Sequence, residues 1–287
     1  MRLKAALGAL ATFFLLATGA VHAGQPEDGR LGLQRAVTPV MENIISFHNL
    51  LLWIIGAICL FVLALLVWIV VRYNAKSNPT PKKFSHNTLI EIIWTAVPVL
   101  ILVVIAVPSF RLLYMQDVIP EPDMTIKAVG NQWNWTYEYP DHGGFEFVSN
   151  MLEEEELGTQ PWSQPRLLAT DVPVVVPEGT TVRVQVTASD VIHSWAMPSF
   201  GVKMDGIPGR LNETWFRVNE GETGVFYGQC SEICGIRHAF MPIEVHVVPQ
   251  EVFDAWVEAA NADPYAASSV LAAWYESTGA TAVAAAR

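Results

Sequence analysis

Charge is what this sequence has least of. Of its 287 residues only 16% are Asp, Glu, Lys or Arg and 52% are hydrophobic, against roughly 25% charged in soluble domains. A chain disordered throughout needs the opposite balance and is excluded; an ordinary cytosolic enzyme does not fit either. Basic residues are scarcer still, 17 against 28 acidic, for a formal net charge of −11. That balance argues against nucleic acid as a partner. Three cysteines are too few for a disulfide scaffold, and the absence of Cys-x-x-Cys-His excludes an attached c-type haem. The length suits about two domains at roughly 100–200 residues each.

The charge that is present is unevenly spread. Residues 1–116 hold nine Lys/Arg and four Asp/Glu, or +5, whereas residues 117–287 hold eight and twenty-four, or −16. A basic, apolar head therefore precedes an acidic tail. Residues 1–23 read as a secretory signal: Arg2 and Lys4 open it, an apolar run follows, and Val21-His22-Ala23 offers small residues for cleavage. A first transmembrane helix is the alternative, but the run is short for one, and Gly24-Gln25-Pro26-Glu27-Asp28-Gly29 looks like a mature N-terminus. Residues 24–43 then form an N-terminal segment outside the membrane.

Twenty-nine residues without formal charge separate Glu42 from Arg72, and nineteen separate Glu91 from Arg111. A span needs roughly 20, so transmembrane helices are expected at residues 44–71 and 88–113. Pro98 and Pro108 lie inside the second; prolines are tolerated there when neighbouring helices satisfy the freed carbonyls, which hints at a larger membrane partner. The loop 72–87 carries Arg72, Lys76, Lys82 and Lys83 and no acid, so it is cytoplasmic and both ends of the mature chain lie outside. A cleaved signal predicts the same orientation. Cys59, mid-span, reads as a small apolar residue.

From Thr125 onward the pattern becomes short and β-rich. Val174-Val175-Val176 runs into Pro177-Glu178-Gly179, and Thr181-Val182-Arg183-Val184-Gln185-Val186 alternates with period two. Further strands are expected at 214–218, 224–228 and 243–248, and such spacing argues for an antiparallel sandwich or barrel. A short helix is expected at 251–261. The alanine-rich residues 263–287 read as a poorly ordered or processed tail.

One loop concentrates the chemistry: Gly228-Gln229-Cys230-Ser231-Glu232-Ile233-Cys234-Gly235-Ile236-Arg237-His238-Ala239-Phe240-Met241-Pro242. Two thiols, an imidazole and a thioether fall within twelve residues, and a second imidazole, His193, lies upstream in Asp190-Val191-Ile192-His193-Ser194-Trp195. Soft sulfur with imidazole selects copper, zinc or iron–sulfur, and thioether moves the balance toward copper. The cysteine spacing alone would also permit zinc. In an oxidising compartment the pair could instead form a disulfide, which is the expected state of the metal-free protein. His193 or Met241 taken singly would more often be core; the joint spacing favours a metal.

Cys-Ser-Glu-Ile-Cys-Gly-x-x-His-x-Phe-Met-Pro, with Asp-Val-x-His-Ser-Trp and Gly-Asn-Gln-Trp upstream, resembles subunit II of the haem–copper cytochrome c oxidases, in a bacterial form, over about residues 43–257. The resemblance implies a two-helix transmembrane hairpin followed by an all-β, cupredoxin-like sandwich or barrel at 114–262 with a short C-terminal helix. It implies a dinuclear copper centre, CuA, bridged by Cys230 and Cys234, with His193 and Met241 completing one copper and His238 and the backbone carbonyl of Glu232 the other. The Glu232 side chain would help bind Mg²⁺ at the boundary with subunit I. Trp133 would take the electron from cytochrome c, and Glu138, Asp171 and Asp190 match positions that face it. Glu91 matches the entrance of the K proton pathway. Subunit III and membrane lipid are further implied partners. The location would be the bacterial inner membrane with a periplasmic outer domain; dioxygen would be reduced, and protons pumped, in subunit I, so this chain alone would not turn over. Asn134 departs from the family, where Tyr is usual, and the glutamates at 153–156 lie in a longer insertion. Two rivals stand beside this reading. A copper-free structural subunit of a quinol oxidase would lack the ligands that are all present here, and a membrane-anchored copper-binding or delivery protein would hold a single copper.

Overall fold

The structure is a computed structural model and describes residues 24–278; the expected signal, residues 1–23, lies outside them. The chain divides into two compact units, one of them Glu42–Val118 and the other formed by the residues before and after it.

The uncharged runs become two helices long and apolar enough to cross a membrane, α1 (Pro39–Arg72) and α2 (Thr88–Asp117). Both overrun the expected spans. At roughly 1.5 Å per residue the 34 residues of α1 reach about 51 Å, well beyond a hydrocarbon core of about 30 Å. Asn87 starts α2 as its cap, its side chain accepting from the Ile90 amide at 3.2 Å, and Glu91 sits in the first turn, where the helix dipole favours a negative charge. Pro98 and Pro108 are accommodated within the helix. Trp53, Phe61, Trp94 and Leu100 are all exposed. Helices apolar on every side do not face water; this is a membrane protein.

The other unit is built on strands. β1 (Met124–Asn131), β2 (Asn134–Glu138), β3 (Glu146–Ser149), β5 (Thr181–Ala188) and β8 (Asn212–Arg217) form a sheet in the order β3-β2-β1-β5-β8. β4 (Val174–Pro177), β10 (Pro242–Val248) and β9 (Gly224–Gln229) form a second, and β6 (His193–Met197) pairs with β7 (Val202–Gly206). The sheets are mixed rather than antiparallel: β1 runs parallel to β5, and β4 to β10. Period-two alternation reports a half-buried strand and carries no information on the direction of its partner, so the expectation of antiparallel pairing fails for those two pairs. Trp135, Tyr137, Trp195, Phe216 and Phe226 are buried between the sheets, and the Trp195 indole donates to the Tyr137 hydroxyl at 3.2 Å.

β1 and β2 form a hairpin. Asn131 pairs with Asn134, leaving Gln132 and Trp133 at the turn. The N-terminal segment packs on the same unit: the Gly24 amide donates to the Val225 carbonyl at 2.9 Å, and Thr38 Oγ1 donates to the Phe200 carbonyl at 2.7 Å.

The tail differs from its expectation. After α3 (Gln250–Ala262), residues Ser268–Thr278 form a further helix, α4, with Leu271 and Tyr275 buried. A buried polar cluster holds it. The Tyr275 hydroxyl lies 3.1 Å from His246 Nδ1, His246 Nε2 lies 2.8 Å from Glu244, and Glu244 also accepts from the Trp162 indole at 3.0 Å and the Thr170 amide at 2.7 Å. Alanine-rich composition suggested weak packing, but two side chains four residues apart suffice to dock one helical face.

Candidate metal centre

The loop between β9 and β10 and the start of β6 converge at one end of the β unit. The Cys230 amide donates to the Met241 carbonyl at 3.3 Å, closing the loop across its base, and the Ser231 amide donates to the Ser194 carbonyl at 3.0 Å, tying it to β6. His193 opens β6 and is fully buried. Gly130 makes room for it: a Cβ there would stand 2.8 Å from the imidazole.

This framework brings the donors together. Cys230 and Cys234 Sγ are 3.9 Å apart, and both are free thiols. His193 Nδ1 lies 3.9 Å from Cys230 Sγ, His238 Nδ1 3.5 Å from Cys234 Sγ, and Met241 Sδ 3.5 Å from Cys234 Sγ. The Glu232 carbonyl lies 3.4 Å from Cys230 Sγ. His193, Cys230 and Cys234 are grouped closely enough to share a metal ion. All six sequence-predicted loop and β6 residues are therefore at one place.

The electrostatics fit a cation. Burial alone would raise the Cys230 thiol, but hydrogen bonds from His193 and from the backbone at Glu232 and Ser194 outweigh it and hold it at about 7. Burial, and then the charge of Cys230 beside it, push Cys234 up to about 12. The first thiolate disfavours ionisation of its neighbour, and a cation between them would relieve that repulsion. Burial disfavours the His193 cation, but Cys230 and Asp190 as partners raise it. Asp190, although burial would raise it, is lowered by its hydrogen bonds with His193 and the amides of Val191 and Gln132. Thiolate, imidazole and thioether donors suit copper; a structural zinc site does not recruit methionine.

The matches with known proteins point to the same chemistry. Residues 26–112 match the family described as "Cytochrome C oxidase subunit II, transmembrane domain", and residues 124–248 that described as "Cytochrome C oxidase subunit II, periplasmic domain". The chain is 54% identical over 239 residues to the "Probable cytochrome c oxidase subunit 2" of Rickettsia bellii, covering 83% of this chain and 87% of that one. The chain belongs to the cytochrome c oxidase subunit II family. It is 45% identical over 264 residues to the "Cytochrome c oxidase subunit 2" of Cereibacter sphaeroides, covering 87% and 86% of the two. Among solved structures, the periplasmic domain of subunit II of cytochrome oxidase of Bradyrhizobium japonicum is 55% identical, covering 50% of this chain and 96% of that one at a TM-score of 0.46. Two apolar helices followed by a cupredoxin-like β unit are the family's architecture. The chain is the electron-input subunit of a haem–copper cytochrome c oxidase, and its His/Cys/Cys group can hold copper.

The remaining candidate residues fall in several places. Trp133, half-buried at the β1–β2 turn, donates its indole N–H to the Cys234 carbonyl at 3.2 Å. Asn134 bonds Asn131 at 3.0 Å and Asn150 at 3.1 Å, and Trp135 is buried next to it in the chain. Glu138 is paired with Lys127 at 2.8 Å. Asp171 accepts from the Asn150 and Val172 amides, both at 2.7 Å. Glu91 lies in the membrane unit at a groove lined with Thr88, Thr95 and Val99. The glutamate run touches the metal loop through Glu153 and Arg237, 3.5 Å apart. Sequence reasoning gave no role to Gln132, whose side chain donates to the Cys234 carbonyl at 2.8 Å. Its place in the Gly-Asn-Gln-Trp motif was the available signal.

Proposed function

We propose that Cys230 and Cys234 hold a pair of copper ions, with His193 and Met241 completing one and His238 and the Glu232 carbonyl the other. The observation that carries this is the clustering of two thiols, two imidazoles, a thioether and a carbonyl with Sγ–Sγ at 3.9 Å. When bound, such a pair supplies a one-electron store whose charge is shared through two thiolates, with weak axial donors tuning its potential. The chain's own residues do the rest. The two cysteines give up their protons on loading, β6 and the cross-loop hydrogen bonds keep the donors in place in both oxidation states, and burial excludes water.

Trp133 is the electron acceptor on the surface. Its indole N–H is one hydrogen bond from the backbone of Cys234. The donor is a basic cytochrome c, steered by the −16 charge of residues 117–287, Glu138, Asp171 and Asp190 among it. Subunit I, bearing the haems, receives the electron next, reduces dioxygen and pumps protons; subunit III and lipid cover other apolar faces of α1 and α2. The free carboxylate of Glu232 is a hard donor for Mg²⁺ at the boundary with subunit I. Glu91, in the first turn of α2, is the entrance of the K proton pathway, a reading supported by the resemblance of Glu91-Ile92-Ile93-Trp94-Thr95 to the family's sequence there. The charge-rich loop 72–87 is cytoplasmic and the β unit periplasmic, in the bacterial inner membrane.

Stopped-flow mixing of the copper-loaded full chain with reduced cytochrome c tests this reading. Reduction that slows as ionic strength rises is expected; no reduction, or a rate indifferent to salt, would contradict it.

A further inference from the structure

We propose that Asp190 is a positioning residue: its carboxylate ties the Trp133 turn to the copper ligand His193. The inference rests on the copper reading above and gives Asp190 a task that docking does not require.

Both carboxylate oxygens are engaged within the domain. Oδ1 lies 2.9 Å from His193 Nε2 and accepts from the Val191 amide at 2.6 Å, while Oδ2 accepts from the Gln132 amide at 2.7 Å. An ionised carboxylate has no proton to donate. Nε2 of His193 must therefore carry the hydrogen, which leaves the lone pair on Nδ1, the nitrogen that faces Cys230. Partners of this kind fix the tautomer and ring plane of a metal-binding histidine. The other face of the ring lies against Gly130, with no room for a Cβ, so backbone and carboxylate hold the imidazole between them.

The same carboxylate holds the turn. Gln132 is fixed by its amide to Asp190 and by its side chain to the Cys234 carbonyl, which also receives the Trp133 indole. Trp133 thus connects to the candidate ligands by two routes. One runs through Cys234, and the other through Gln132, Asp190 and His193. An acid that served docking alone would need only exposed charge. Asp190 is still partly exposed, so it keeps that charge while its oxygens act inward.

The test compares the wild-type full chain in detergent with Asp190→Ala, Asp190→Asn and, as a charge-matched surface control, Glu146→Gln, all loaded with copper. Copper affinity is read by chelator competition, the centre by electron paramagnetic resonance and reduction potential, and electron uptake by stopped flow at several ionic strengths. Asp190→Ala is expected to lose copper affinity about 10- to 100-fold, with altered hyperfine splitting and a shifted potential. Asp190→Asn, which keeps one accepting oxygen, is expected to recover most of this, and Glu146→Gln to match the wild type in all three. Wild-type affinity, spectrum and potential in Asp190→Ala, with only the salt dependence changed, would overturn the inference and leave Asp190 a docking acid. A wild-type chain that binds a single copper would instead overturn the copper-pair reading itself.

Discussion

Cys230 is held at about 7 and Cys234 is pushed to about 12, and that difference sets how the chain takes up metal. The thiolate is the ligand, so below about pH 12 the Cys234 proton must leave whenever copper binds. Copper affinity of the reduced, metal-free chain is expected to rise at least about tenfold per pH unit across neutrality, measured by competition at fixed chelator strength; a flat profile would show that Cys234 is not a ligand. Trp133→Phe keeps an aromatic ring but removes the donor to the Cys234 carbonyl. Electron uptake from cytochrome c is expected to slow at least about tenfold, a barrier increase of about 1.4 kcal/mol, while the copper spectrum stays unchanged. An equal loss of spectrum and rate would mean that the substitution disturbs the centre rather than the route into it. The candidate donors stood out in the sequence because four of the side chains lie within twelve residues and each is an unusual donor. Asp190 was read as a docking acid because its bonds to His193 and Gln132 exist only once β6 and the β1–β2 turn meet, and no local spacing reports that meeting.

At the scale of elements, the C-terminal helix α4 depends on the cluster Glu244–His246–Tyr275. All three side chains are buried, and Glu244 satisfies partners from β10 and, at Trp162 and Thr170, from the segment between β3 and β4. Glu244→Ala would strand those donors and is expected to cost about 3–5 kcal/mol. Tyr275→Phe removes one partner of His246 and is expected to cost about 1–3 kcal/mol. Both would appear as lower thermal unfolding midpoints by tryptophan fluorescence of the copper-loaded chain, and an unchanged midpoint in Glu244→Ala would show that the cluster does not carry α4. Helices α1 and α2 were legible from missing charge, β5 from its alternation and β4, β8, β9 and β10 from short apolar runs between turns, whereas β1, β2, β3, β6 and β7 carried no such signal. Parallel pairing of β1 with β5 was not legible, since it is settled by a partner far along the chain, Met124 pairing with Val182. Nor was α4: its signal, Leu271 and Tyr275 on one face, is short and was masked by alanine.

For the whole molecule, the uneven charge is the basis of the proposed orientation. The loop 72–87 carries four basic residues and no acid, and residues 117–287 carry −16. Protease added to intact spheroplasts is expected to remove the β unit and leave the Lys82–Lys83 loop uncut; cleavage at those lysines first would invert the topology. Everything else in the account depends on what the metal loop holds. The most direct measurement is therefore copper counting on the full chain together with its electron paramagnetic resonance spectrum. Two coppers per chain and a hyperfine multiplet from one unpaired electron shared equally by two copper nuclei are the predicted result. One copper per chain with single-nucleus splitting would contradict it and return the chain to a copper-binding or delivery role.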